Sequence, residues 1–126
     1  MKIYCGTDII EVDRIKQAIL RTPKFKENIF TPSEISYAES KGDVTKYQHY
    51  AGRFAAKEAI YKSLSSLYPH ISLNEIEILN DLDNLNRPVV SVHNKDFLTA
   101  KLNIQIDVSI SHIKDTACAN AIVLVL

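Results

Sequence analysis

The run Arg53-Phe54-Ala55-Ala56-Lys57-Glu58-Ala59-Ile60-Tyr61-Lys62 constrains this chain more than any other segment. It holds strong helix formers throughout and neither Gly nor Pro, so it reads as the middle of a long helix. That helix is expected from about Thr45 to Leu67, with Pro69 closing it. Glu58 and Lys62 stand four residues apart, about 40° around the axis, on a stripe shared with the apolar Phe54. A carboxylate and an ammonium at the edge of an apolar face have two readings. One is a surface ion pair worth about 0.3–0.5 kcal/mol. The other is a pair that holds a metal ion and a phosphate. The helix alone does not choose between them; partners elsewhere in the sequence must.

Around this helix the chain reads as a single α+β domain over residues 1–126, without repeats, linkers or low-complexity tracts. Residues 2–12 have the β-branched and aromatic character of a strand, with the acid Asp8 inside it. Asp13 is placed to cap a helix from about Arg14 to Arg21, ending before Pro23. Thr31-Pro32-Ser33-Glu34 combines a capping Thr, Pro at the first position and Glu at the third, predicting a short helix to about Ser40 that Gly42 stops. Residues 74–79 alternate as a half-buried strand, 81–87 are a polar turn, and Val89 to His93 is the next strand. Asn94 to Leu102 is expected to hold a short helix. Gln105 to Ser111 alternates again, and Ala117 to Leu126 is apolar enough for a central strand. Helices followed by a run of strands predict helices packed on one face of a largely antiparallel sheet.

Fifteen basic and fifteen acidic residues cancel, so no global field draws the protein to nucleic acid or membrane. The apolar runs are too short to span a bilayer, and polar residues interrupt any signal-peptide layout at the N-terminus. Cys5 and Cys118, both in strand-like sequence, are read as buried reduced thiols of a cytoplasmic protein. Charge has one local asymmetry: Arg14, Lys16, Arg21, Lys24 and Lys26 fall in a stretch with no acid. Such a run is either a solvated helix face or a docking surface for an acidic partner.

Asp8, just after Gly6-Thr7, is either a strand-edge residue or a metal ligand presented where the strand kinks at Gly6. Paired with Glu58 across a strand–helix contact, it would complete two carboxylates, the usual protein share of a Mg2+ site. Asp107-Val108-Ser109-Ile110-Ser111-His112 puts hydroxyls and a His at a strand end. There the His is a surface residue, a phosphate donor or a proton shuttle. Cys/His spacing for zinc, a phosphate-binding glycine loop and a nucleophile elbow are all missing from the sequence.

Three segments, in order, meet a known family. Gly6 to Ile15 (GTDIIEVDRI) closely resembles the N-terminal motif of the holo-[acyl-carrier-protein] synthases, the short trimeric branch of the 4'-phosphopantetheinyl transferases. Arg53 to Lys62 resembles their second motif. Val108-Ser109-Ile110-Ser111-His112, followed by Ala117, Ala119 and Ala121, is similar to their C-terminal strands. The resemblance covers nearly the whole chain. It implies Mg2+-dependent transfer of 4'-phosphopantetheine from coenzyme A to a serine of apo-acyl carrier protein, releasing adenosine 3',5'-bisphosphate, in fatty acid biosynthesis. It implies Asp8 and Glu58 as metal ligands and Lys62 as the pyrophosphate contact, so that Glu58 and Lys62 carry the chemistry. Arg53 and His112 are carried over to the coenzyme's phosphates. Arg14 and Arg21 correspond to the basic helix that docks the carrier protein. Homotrimers of the family place each site between two subunits.

Two departures stand out. The family usually carries a glycine-containing turn after Lys62, where this chain has Ser63-Leu64-Ser65-Ser66-Leu67. A glycine also commonly precedes the later proline, where Asn86-Arg87-Pro88 stands here. Both fall where the backbone would wrap the nucleotide end of coenzyme A. Two alternatives accompany the main reading: a non-catalytic member that binds carrier protein or coenzyme A, and a Mg2+-dependent phosphohydrolase of nucleotide pyrophosphates.

Overall fold

Small residues decide how this molecule packs. In the computed structural model, which describes residues 1–126, Ala51, Ala55, Ala56 and Ala59 of the long helix are buried against Ala117, Ala119 and Ala121 of the last strand. The chain runs β1 (Lys2–Glu11), α1 (Val12–Arg21), α2 (Phe25–Ile29), α3 (Pro32–Glu39), α4 (Asp43–Leu64), β2 (Ile76–Asp81), β3 (Arg87–Val92), α5 (Lys95–Thr99), β4 (Ile104–His112) and β5 (Thr116–Val125). A 3-10 turn, Leu73–Glu75, leads into β2. All strand pairings are antiparallel, and β5 is the middle strand of a β1-β5-β4 sheet. The helices lie on one face of that sheet, as the α+β reading expects. The later strands do not join into one sheet, however: β2 and β3 form a separate hairpin.

Register puts Asp8, Ala119 and Ile110 side by side across the three strands. Directly opposed residues share a face, so Asp8 lies on the face that α4 covers. Gly6 shares that face and is what allows the contact. A Cβ there would lie 2.1 Å from the Ala59 carbonyl oxygen and 2.7 Å from Ser63 Oγ. Gly6 therefore does not kink β1, which is continuous; it lets strand and helix backbones touch. The opposite face has no covering element, and Ile3, Ile9 and Ile122 are exposed there.

Several local expectations need correction. Asp13 caps nothing: α1 begins one residue earlier at Val12, whose side chain is buried and whose amide donates to the Asp115 carbonyl at 2.9 Å. Gly42 does not stop α3; it stands immediately before α4 with φ −65°. α3 ends instead with Ser40 Oγ donating to the Tyr37 carbonyl at 2.6 Å. The Thr31 box forms as expected, the Thr31 side chain accepting from the Glu34 amide and Glu34 accepting from the Thr31 amide. Cys5 is exposed rather than buried, because it points to the uncovered sheet face, and both cysteines are free thiols.

Candidate active site

Asp8, Glu58 and Lys62 meet where β1 crosses α4. Lys62 Nζ donates to Asp8 Oδ1 at 3.1 Å and to the Thr7 carbonyl at 3.0 Å. Glu58, one turn back, is half-buried. Burial raises its carboxyl pKa above the ordinary range; the Asp8 charge adds to the rise and Lys62 opposes it. Two carboxylates thus feel each other's charge, and one exposed ammonium is paired with Asp8 alone. The donor set fits a hard divalent cation: such an ion would relieve the cost of ionising Glu58 beside Asp8 and leave positions for water and phosphate oxygens. The set stops at two carboxylates, since no group of three or more His, Cys, Asp or Glu is gathered anywhere in the chain.

Arg53 and His112 do not join this cluster. Arg53 lies about 140° around α4 from Glu58 and opens into a separate pocket shared with His112, His49, Asn80 and Asn86. Its guanidinium donates to Asn80 Oδ1 and lies over the Tyr37 ring, 5.4 Å from the centroid. Asn80 in turn donates to the Asn86 carbonyl at 2.7 Å. The two clusters therefore lie on different sides of one helix.

Arg14 and Arg21, seven residues apart on α1, are exposed and in no ion pair. Not every base in that stretch is equally free. Lys26 bonds Glu39 at 3.4 Å and Lys16 lies over the Tyr47 ring.

The two departures resolve differently. After Lys62 the chain turns with no residue in the left-handed region: Ser65 is helical, and the Leu67 and Tyr68 amides both donate to the Leu64 carbonyl. Ser63 is buried and its Oγ donates to the Ala59 carbonyl at 2.9 Å, inside the tight Gly6 contact. At the hairpin, Leu85 and Asn86 take φ of 56° and 58°, a region glycine enters freely and asparagine tolerates.

Lys57, which the sequence marks only as a helix residue, is fully buried and bonds Glu34 Oε1 at 2.7 Å. His49 and Asn80 also escaped the sequence reading, because neither falls in a motif.

Comparison with known proteins places the chain in a family. A family model described as the 4'-phosphopantetheinyl transferase superfamily matches residues 4–121. The chain belongs to that superfamily. It is 44% identical to a holo-[acyl-carrier-protein] synthase of Ruminiclostridium cellulolyticum, over 98% of this chain and 92% of that protein. It is 42% identical to the protein of that name from Fusobacterium nucleatum, over 98% and 100%. Among solved structures it resembles an ACPS–CoA complex of Chronobacterium ammoniagenes (TM-score 0.85, 25% identity, 100% and 99% coverage). It also resembles a holo-(acyl-carrier-protein) synthase of Bacillus anthracis in complex with CoA (3',5'-ADP) (TM-score 0.75, 30% identity, 95% and 94% coverage).

Proposed function

We propose that this chain, acting as one domain over residues 1–126, transfers the 4'-phosphopantetheine group of coenzyme A to a serine of an apo-acyl carrier protein. Adenosine 3',5'-bisphosphate is the leaving product, and the modified carrier serves fatty acid biosynthesis. The convergence of Asp8, Glu58 and Lys62 at the β1–α4 contact carries the reading, in a chain of this family.

The serine Oγ attacks the β-phosphorus, a new P–O bond forms, and the bond to the bridging oxygen breaks. Negative charge develops on that oxygen and on the non-bridging ones. Asp8 and Glu58 would hold a Mg2+ ion, which would supply neutralisation of the pyrophosphate charge. Lys62 is exposed and held only by Asp8 and a backbone carbonyl, so its ammonium is free to move onto the phosphate oxygens. Glu58 accepts the serine proton, directly or through a water that it orients. Arg53 and His112 face the coenzyme's other phosphate charge, and Arg14 and Arg21 orient the acidic carrier protein.

A homotrimer with sites between subunits is part of this reading. The separation of the Lys62 and Arg53 half-sites within one chain supports it, as do Ile3, Ile9 and Ile122 exposed on the uncovered sheet face. No helix is long and apolar enough to cross a membrane, and with two free cysteines we assign the reaction to the cytoplasm.

The test is the mass of an apo-acyl carrier protein after incubation with coenzyme A, Mg2+ and this protein. A gain of one phosphopantetheine is expected. Coenzyme consumed without carrier modification would favour hydrolysis, and no change in either would leave a binding protein.

A further inference from the structure

His49 has no part in the reaction as described, yet it lines the Arg53 pocket. That pocket has a volume of about 210 Å³ and is walled by His49, Arg53, Asn80, Asn86 and His112 among others. The His49 and His112 rings are tilted by 58° with centroids 6.3 Å apart, and Tyr37 meets His49 edge-on at 5.4 Å. Arg53 is buried, and its only hydrogen-bond partner is a neutral amide. No carboxylate lies within ion-pairing distance of Arg53, His49 or His112. A buried guanidinium and two imidazoles without an anion between them form an incomplete charge arrangement.

The groups facing His49 come from each element packed around it. They are Tyr37 on α3, Lys41 after α3, Arg53 on its own helix and His112 on β4, while the hairpin contributes the amides of Asn80 and Asn86. Every charged member of that set is cationic or becomes so. Burial first, then Arg53, Lys41 and His112, hold the His49 pKa below its ordinary value, so the surroundings disfavour the charged ring.

We propose that His49 is a proton-linked ligand for a phosphomonoester: when a phosphate dianion enters beside Arg53 and His112, His49 takes a proton from solvent and donates it in a hydrogen bond to the anion. The dianion reverses the local field that disfavours the charged ring. A diester or pyrophosphate bridge bears one charge per phosphorus and drives the uptake less. Coenzyme A carries one monoester, on its ribose; dephospho-coenzyme A carries none. The assignment rests on the reading that Arg53 and His112 face the coenzyme's phosphates. It adds a residue that ties donor selection to pH.

Calorimetry tests it without turnover. Coenzyme A and dephospho-coenzyme A are titrated into wild type, His49→Gln and His49→Phe in two buffers of different ionisation enthalpy, from pH 6 to 8.5. His49→Phe keeps the edge contact with Tyr37 and guards against a packing artefact. Wild type should take up protons with coenzyme A and not with dephospho-coenzyme A, and both variants should lose at least half of that uptake. Their coenzyme affinity should be about tenfold weaker at pH 6, as expected for one charge-assisted hydrogen bond, and should converge on wild type by pH 8.5. Uptake unchanged in both variants, or equal for the two ligands, would overturn the role of His49 alone. Failure of wild type to bind coenzyme A would overturn the functional reading together with it.

Discussion

Lys57 and Lys62 stand five residues apart on one helix, each paired with a carboxylate, and they behave as opposites. Lys57 is sealed. Its Nζ meets Glu34 at 2.7 Å and donates to the carbonyls of Leu73 and Ile76, while Glu34 also accepts from the Thr31 and Ile78 amides. Burial lowers the Lys57 pKa and Glu34 opposes that shift. The pair locks the start of α3, strand β2 and helix α4 to one another. Lys62, by contrast, is half in water, with Asp8 as its one charged partner. A saturated pair holds elements in place; an exposed, half-satisfied one is free to exchange its partner for a ligand. The same residue type does structural work in one turn and is available for chemistry in the next.

Breaking the sealed pair should have the largest effect. Lys57→Met leaves Glu34 buried without its counter-charge and should cost about 3–5 kcal/mol of stability, read as a shift in the urea unfolding midpoint. A loss below about 1 kcal/mol would mean that the pair is not the clamp described here. Asp8→Ala and Glu58→Ala should leave the far-ultraviolet circular dichroism unchanged while lowering transfer by about 10²–10³-fold or more. Near-normal transfer by either would remove it from the metal assignment.

Smaller effects sharpen the contrast. Arg14→Glu should weaken carrier binding several-fold at low salt and flatten its salt dependence, because exposed charges act mainly through a screened field. Unchanged carrier affinity at low salt would count against the α1 face. Glu58→Gln should raise metal-free stability by a few tenths of a kcal/mol, about the scale of partly exposed charges. The sign follows from its raised pKa: the ionised form is disfavoured in the folded protein, so this contribution improves as pH falls through the folded value. Mg2+ should then raise the melting temperature of wild type and leave Glu58→Gln unmoved. Equal shifts in both would place the ion elsewhere.

Much of this was legible in the sequence, for physical reasons. A run of strong helix formers exposed α4, alternation exposed β4, and the continuous apolar run marked β5 as central. Asp8, Glu58 and Lys62 could be named because the motifs that resemble the family contain them, and the fold brings those three together. What was lost depends on tertiary context. Lysine is almost always solvated, so Lys57 gave no local sign of burial except its place between Ala55, Ala56, Ala59 and Ile60. Asp13 and Gly42 have the right chemistry for caps, but a buried Val12 and a Ser40 side chain set the helix ends instead. The exposed Cys5 follows from a sheet face that nothing in this chain covers. Helix α2 has five residues and starts from Lys24 in the left-handed region, too short for any period to appear. His49 carried no signal at all; only the packing of α4 on the sheet, which brings its ring within 6.3 Å of His112, gives it meaning.

The most direct measurement is single-turnover transfer by Lys62→Ala, taken with its unfolding midpoint. The account predicts that transfer falls about hundredfold or more while stability stays within about 1 kcal/mol of wild type. Transfer within about twofold of wild type, at equal stability, would contradict it: Lys62 would then be an ordinary surface ion pair, and the Asp8–Glu58–Lys62 cluster would not be the place where charge develops.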